Sequence, residues 1–341
     1  MNDARSPRSV SARLWDAFGP DWRENCRRWR RFSGNPALPP SGDTWKRVWT
    51  ANPDFRWRAD DNTLLVYYRG HGTLAGSPAG ERTCDRLAVA RVDALGPDGL
   101  RITDLNGGLP VVDVGPEGAF DAAEALDPSA AEFAGRVLLF YSALGPGEHG
   151  VGLAVSTDGT AGERFAKHGP VLTGRAPSAL AQGDRVYLLY QDWLPGHAAE
   201  RQQWCFYLAV SEDGLTFSPV QDAPILTGTP GDWDAYSVVT GRLLAGADGW
   251  TYLLYGGSAY LSDEPEHFGL ARSRDLVNWE KHPGNPIFGA GARGEPDGGA
   301  IWFPALWETD THFHLLYEGS EGPYAWNLRS AVCLASREKT V

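Results

Sequence analysis

The 341-residue chain has no long apolar run: nowhere do about 18 apolar residues stand together, so no segment reads as a membrane-crossing helix. Its start, MNDARSPRSVSARLWDAFGPDW, carries arginines but no apolar stretch of the kind a secretory signal needs, which makes a soluble, cytoplasmic protein the expectation. Cysteine is scarce. Cys26, Cys84, Cys205 and Cys333 are widely scattered with no CxxC pair, which excludes a disulfide framework and reads as reduced structural thiols. Positive charge is in deficit, with 31 Lys and Arg against 43 Asp and Glu and a formal charge of −12. Such a surface repels phosphate backbones and anionic lipid, so nucleic acid and membrane are set aside as partners and a small, neutral, polyhydroxylated ligand fits better. A Walker loop, a GxSxG elbow and a dinucleotide fingerprint are all missing. The eight His are scattered, and His312 and His314 stand two apart on one strand face as packing residues do. No EF-hand-like acidic run exists either, so no metal and no cofactor are expected.

Tryptophan and glycine are abundant, at 14 and 41 residues beside a single Met. Tryptophan at this density collects where flat apolar faces meet polar groups, between packed sheets or against sugar rings. The chain also repeats itself. Five segments place a Pro, or in one case a Gly, 13 to 15 residues ahead of the tyrosine near the end of an apolar strand. They run from Asn52-Pro53 to LLVYYRG, Asp127-Pro128 to VLLFYSA, Ala176-Pro177 to VYLLYQD, Thr240-Gly241 to TYLLYGG, and Phe303-Pro304 to FHLLYEG. A second family of strands follows: RLAVARV, GLAVSTDG, YLAVSEDG, GLARSRDL and VCLASR. Four short runs then follow a proline, PVVDV, PVLTG, PILTG and PIFGA. Each unit therefore reads as four antiparallel strands joined by Gly, Asp and Asn turns, which is one propeller blade, and the fold class is all-β, a five-bladed β-propeller. Strands such as VYLLY are apolar on both faces, as sheets sandwiched between neighbours must be.

Residues 1–44 differ from the rest and read as a short N-terminal helical extension, with residues 45–341 forming the propeller. Leu14, Phe18, Trp22, Cys26, Trp29 and Phe32 recur at helical spacing, with arginines crowded toward the C-terminal end where the macrodipole favours cations. The segment WKRVWT, 45–50, is expected to pair with the last blade and close the ring.

A propeller binds its ligand at the channel mouth, at equivalent ends of the innermost strands. The residues before the repeated Pro or Gly are Asn52, Asp127, Ala176, Thr240 and Phe303, five symmetric positions holding five different side chains, which favours an asymmetric pocket. Asp121, Asp234 and Asp297 share another repeated position, seven residues ahead of Pro128, Gly241 and Pro304. Their repetition suggests a structural turn, and Asp234, flanked by Trp233 and Tyr236, is the best placed of the three to face a sugar. Glu318 and Asp192 end the second strands of their blades, where Arg69 and Ser142 stand elsewhere.

With its blade strands ending in LLY or VYY, the phrase SRDLVNWEKHPGNPIF at 273–288 and FDAAEALDPSA at 120–130, the chain resembles the five-bladed propeller glycosidases over roughly residues 45–338. These are glycoside hydrolase family 43 and its relatives in families 32, 68, 117 and 130. The resemblance implies an Asp base in the first blade, a pKa-tuning Asp before Pro in the second, and a Glu acid in the third. Cleaving a glycoside requires one carboxyl to protonate the leaving oxygen and another to activate water or attack the anomeric carbon. Asp127 fits the second position. Asn52 stands at the first, with Asp54 two residues on, and Arg175 stands where the Glu would be. An amide is no general base and a guanidinium holds its proton, so the family triad is divergent here.

Asp127 is the catalytic candidate that the resemblance implies, and Asp54 and Glu318 are the acids available to supply proton transfer beside it. Asn52, Arg175, Asp234, Tyr236, Trp302, Arg69 and Asp192 are the substrate-binding candidates. Arg175 adds a preference for an anionic group. Some members of the group carry a structural calcium near the channel. Three functions are carried forward: a glycoside hydrolase-like enzyme acting on a sugar or sugar-like small molecule, a biosynthetic tailoring or cyclising enzyme reusing the propeller, and a non-catalytic sugar-binding propeller. The oligomeric state is left open.

Overall fold

The apolar repeats fold as five antiparallel sheets around one axis in a computed structural model that describes residues 9–41, 45–73, 83–147, 150–196, 203–261, 263–322 and 330–339. Blade I contains Trp49–Arg58, Thr63–Thr73, Thr83–Gly96 and Gly99–Asp104, from the axis outward. Blade II contains Glu124–Phe133, Arg136–Leu144, Gly150–Ser156 and Phe165–Thr173, and blade III contains Arg175–Gln182, Arg185–Trp193, Trp204–Ser211 and Ser218–Pro219. Blade IV contains Ser237–Gly246, Thr251–Ser258, His267–Ser273 and Glu280–Lys281, and the chain-order part of blade V contains Ala300–Glu308, His312–Ser320 and Ser330–Glu338. The innermost strands touch in the cyclic order I, II, III, IV, V, I. Middle strands are buried on both faces, as in Val137 through Ala143 and Thr251 through Ser258, because each sheet is covered by two others.

The fourth strand of blade V comes from the other end of the chain. Arg30–Arg31 pairs antiparallel with Ala335 and Ser336, and the Phe32 N–H donates to Leu334 O at 2.9 Å. Asn35 then pairs with Leu334 through its side-chain amide, and the Ala37 N–H donates to Val332 O at 2.8 Å. Ala37 follows Pro36 as Val111, Ile225 and Ile287 follow Pro110, Pro224 and Pro286, and all four donate to the third strand of a blade. Pro36 is thus the fifth outer-strand proline, displaced to the front of the chain. The expected closure by 45–50 is corrected accordingly, because Trp49 and Thr50 begin the innermost strand of blade I and pair with His71 and Gly70.

The N-terminal helix is also shorter than its periodicity suggested. Gly19-Pro20 interrupts it, since proline removes a backbone donor and restricts the residue before it. What remains is a 3₁₀ turn at Trp15–Ala17 and a six-residue α-helix at Trp22–Arg27, capped by Asp21 accepting from the Arg23 N–H at 3.0 Å. Leu14, Phe18 and Trp29 are buried against Leu254, Phe268, Ile287 and Leu306 of blades IV and V. The buried Arg337 guanidinium donates to the Asn25 and Ala17 carbonyls, tying the segment to the last strand.

The repeated acidic position is a clasp within blades II, IV and V. Asp121 accepts from Tyr141 OH and Lys167 Nζ, Asp234 from Tyr255 OH and Lys281 Nζ, and Asp297 from Tyr317 OH and Arg31 Nε, at 2.5 to 3.1 Å. The cation lies on the outermost strand and the tyrosine on the second, so each carboxylate pins a sheet from edge to middle. Asp234 is fully buried and its other oxygen accepts from the Thr229 N–H at 3.0 Å. Removing one partner of such a buried ionic cluster costs about 3 kcal/mol. Asp234→Ala is therefore expected to lower the thermal midpoint by several degrees, as read by scanning calorimetry.

Candidate functional site at the channel mouth

All five innermost strands break register at the repeated dipeptide, between Ala51 and Asp54, Leu126 and Ser129, Arg175 and Ser178, Val239 and Arg242, and Trp302 and Ala305. At each bulge a non-glycine residue takes a left-handed backbone: Asn52 at φ 49°, Asp127 at 57°, Ala176 at 49°, Thr240 at 52° and Phe303 at 53°. For a β-branched residue such as Thr240 this is a strained conformation, costing on the order of 1–3 kcal/mol and persisting only where the surroundings enforce it. The enforcement is visible. The Ala176 N–H donates to Ser142 Oγ at 2.7 Å, and the Thr240 N–H donates to Gln191 Oε1 at 2.8 Å. In both cases the second strand of one blade holds the bulge of the next.

Two residues further along the same strands lies a second layer, formed by Asp54, Ser129, Ser178 and Arg242. Asp54 Oδ2, Ser129 Oγ and Ser178 Oγ each accept at 2.9 Å from a backbone N–H of the following blade, those of Ala130, Ala179 and Leu243. The fully buried Arg242 spans the axis. It donates to Pro177 O at 3.0 Å and Pro128 O at 3.1 Å, faces Asp54 at 3.6 Å and covers the Phe303 ring at 4.9 Å. The side chain therefore lies across the axis as a floor beneath the bulges.

Above that floor, the groups come from all five blades. Asn52 Nδ2 donates to Asp127 Oδ1 at 2.7 Å, and Ser142 Oγ donates to Asp127 Oδ2 at 2.6 Å. Arg69 Nη2 reaches Glu318 Oε1 at 3.1 Å, while Arg69 Nε and His71 Nδ1 face Asp85 Oδ1 at 3.5 and 3.2 Å. Arg175 Nη2 donates to Asp263 Oδ2, and the Trp302 indole N–H donates to Asp263 O at 2.6 Å. Trp302 is the strand partner of Glu318, and Arg175 that of Gln191.

Burial raises the carboxyl pKa of Asp127 above the ordinary range, against the pull of Arg69, the Ser142 hydrogen bond, Arg175 and Arg242. Burial likewise raises Glu318, aided by the negative charges of Asp127 and Asp85 and opposed by Arg69 and a hydrogen bond with Ser330. Glu124 is raised by burial and by Asp85. Burial disfavours the charge of Arg69, but Asp85, Glu318, Asp127 and Glu124 outweigh it and hold the guanidinium protonated. Two carboxyls of raised pKa thus flank one fixed cation.

The candidates named from sequence separate clearly. Asn52, Asp127, Arg69, Glu318, Arg175 and Trp302 share the mouth. Asp54 is bound into the layer beneath, facing Arg242. Asp234 is spent on the blade clasp, which removes it from the candidate pocket, and Tyr236 is half-buried just ahead of the strand Ser237–Gly246. Asp192 is one residue out of register. The position after each second-strand tyrosine holds Arg69, Ser142, Gln191, Gly256 and Glu318, so Gln191 is the inward residue, and Asp192 Oδ1 accepts from its neighbour Trp193 N–H at 2.7 Å. Arg175, expected to await an anion, already has Asp263. Asp85, Glu124 and Asp263 were not anticipated; strand alternation on from Arg69 and His71 could have signalled the first, but nothing local marks the other two. Among the described residues no three His, Cys, Asp or Glu side chains are arranged to hold a metal, and no helix is long and apolar enough to cross a membrane.

No sequence-family model matches the chain, and no curated protein matches it. Solved structures do. A β-1,2-mannobiose phosphorylase from Listeria innocua, in complex with β-1,2-mannobiose, superimposes with a TM-score of 0.67 at 14% identity, covering 91% of this chain and 96% of the other. A glycosyl hydrolase from Bacteroides ovatus gives 0.66 at 16% identity, covering 90% and 92%. A structure described with the family 130 mannoside phosphorylases and glycoside hydrolases that target β-1,2-mannosidic linkages in Candida mannan gives 0.64 at 15% identity, covering 90% and 93%. These neighbours are glycoside hydrolase and phosphorylase propellers, and at such identity the likeness establishes the shared five-bladed fold.

Proposed function

We propose that the chain is a glycosidase-like enzyme that cleaves or transfers a glycosidic bond in the floored pocket at the channel mouth. One observation carries the reading. Asn52 Oδ1, Thr240 Oγ1, Gln191 Nε2, Arg175 Nε and Asp263 Oδ1 are all buried without a hydrogen-bond partner among the described residues. Buried polar atoms are otherwise nearly always paired, so donors and acceptors left open around one pocket describe a ligand with many hydroxyls.

Glu318 is the proton donor in this reading. Burial and the negative charge of Asp127 raise its carboxyl pKa, and a carboxyl of raised pKa is suited to hand a proton to a leaving glycosidic oxygen. Asp127, held at both oxygens by Asn52 and Ser142, tunes Glu318 and fixes the sugar. Arg69 anchors the Glu318 carboxyl and steadies negative charge on it after proton transfer. The attacking oxygen comes from water, phosphate or a sugar hydroxyl, and the structural neighbours include both hydrolases and a phosphorylase.

A second reading is favoured by Asn52 and Arg175. Neither can take a proton, which suits an acid-catalysed tailoring or cyclising step with no general base from those positions. The test is a panel of aryl glycosides and mannobioses, assayed with and without inorganic phosphate, followed by calorimetric titration of the same compounds. Release of aryl alcohol or free sugar is expected, and phosphate dependence identifies the acceptor. Sugar binding without turnover would remove the glycosidase reading, and absence of binding as well would remove carbohydrate altogether.

A further inference from the structure

The polar groups of the mouth are unequally used, and Arg175 with Asp263 is the pair with most left open. Arg175 begins the innermost strand of blade III, and Asp263 lies in the segment following the second strand of blade IV. A guanidinium and a carboxylate that meet in full register form two parallel hydrogen bonds. Here one is formed, from Arg175 Nη2 to Asp263 Oδ2, while Arg175 Nε and Asp263 Oδ1 are both buried and unpartnered among the described residues. One donor and one acceptor of the same ion pair are therefore left without a hydrogen bond. Their placement is rigid: the guanidinium lies 4.2 Å over Trp204, Trp204 stacks on Trp193 at 3.5 Å between centroids, and the Trp302 indole holds the Asp263 carbonyl.

We propose that this pair sets specificity: Arg175 Nε–H and Asp263 Oδ1 clamp two neighbouring hydroxyls of an uncharged sugar, and Asp263 denies the arginine charge to carboxylate- or phosphate-bearing ligands. The proposal rests on the carbohydrate reading above and narrows its substrate class. A vicinal diol donates one proton to Oδ1 and accepts one from Nε–H, satisfying both open atoms. An anion can accept from Nε–H but meets Oδ1 as like charge. The surroundings act in the same direction, because Arg69 is already engaged by Asp85 and Glu318 and offers no free cation to an anionic ligand once Arg175 is neutralised.

The test is calorimetric titration of the full chain with matched pairs of neutral hexose and uronate in gluco, manno and galacto configuration, and with inorganic sulfate as a bare anion. The wild type is expected to bind the preferred hexose at least tenfold more tightly than its uronate, and sulfate not measurably. In Asp263→Asn, uronate and sulfate affinities should rise at least tenfold and hexose affinity should fall. Adding Arg175→Gln should abolish the gained anion binding, with circular dichroism confirming the fold of each variant. Wild-type binding of uronate as tight as that of hexose, or no gain of anion affinity in Asp263→Asn, would overturn the clamp while leaving the carbohydrate reading in place. Absence of any sugar binding by the wild type would overturn both.

Discussion

Glu318→Gln is expected to lower kcat on glycosides with poor leaving groups by about 10²–10⁴-fold, the usual contribution of a positioned general acid. KM should change little, since the amide keeps the shape of the carboxyl. On dinitrophenyl glycosides, whose leaving oxygen needs no proton, the loss should shrink to a few fold. A variant that had merely misfolded would lose both substrates equally. The pH profile gives a second readout. Glu318 acts protonated, so wild-type activity falls as pH rises through its raised folded pKa, and this limb should vanish in Glu318→Gln. Stability follows the same proton. A carboxyl whose folded pKa exceeds its unfolded value binds protons preferentially in the native state, so its burial penalty is relieved as pH falls through the folded pKa toward the ordinary value near 4.5. Denaturant midpoints in that window should slope less in the variant. An unchanged slope together with undiminished turnover would take Glu318 out of the mechanism.

Arg242→Met should destabilise the protein by about 3–5 kcal/mol, the range found when one partner of a buried ion pair is removed. For a chain of this size the thermal midpoint should then drop by about 4–7 °C. The guanidinium is the donor to two carbonyls, those of Pro128 and Pro177, and the charge facing Asp54. Both carbonyls belong to residues immediately after left-handed bulges, so the substitution also loosens Asp127 and Ala176. Arg242→Lys retains the charge without the planar fork and should fall between wild type and Arg242→Met. Adding Asp54→Asn to Arg242→Met should restore part of the loss, because the carboxylate left behind carries much of the penalty. Equal midpoints for wild type and Arg242→Met would mean the axis is held by backbone pairing alone.

The five blades are legible in the chain because each must bury both faces of its middle strands, which forces apolar lettering such as VYLLY to recur. The bulge positions are legible for a related reason: a backbone bent the same way five times is followed by Pro at four of them and by Gly at the fifth. Gln191 and not Asp192 faces inward because strand register places it directly after Tyr190, as Arg69 follows Tyr68 and Glu318 follows Tyr317. Pro36 is hard to place from sequence because it precedes the first blade and completes the last one. The helical spacing from Leu14 to Phe32 reflects real burial of Leu14, Phe18 and Trp29, but Gly19-Pro20 breaks the hydrogen-bond ladder that spacing alone assumes.

By itself, the amino-acid sequence determined the all-β class, the number of blades and the five residues that ring the axis, since these follow from local periodicity and repeat with it. Only the tertiary structure decided which charged groups meet. Asp263 reaches Arg175 from 88 positions away, Glu318 meets Arg69 across 249, and Arg31 completes the Asp297 clasp across 266. The first pairing depends on the packing of neighbouring blades and the other two on closing a ring that joins the two ends of the chain, and no short stretch of sequence carries that distance information.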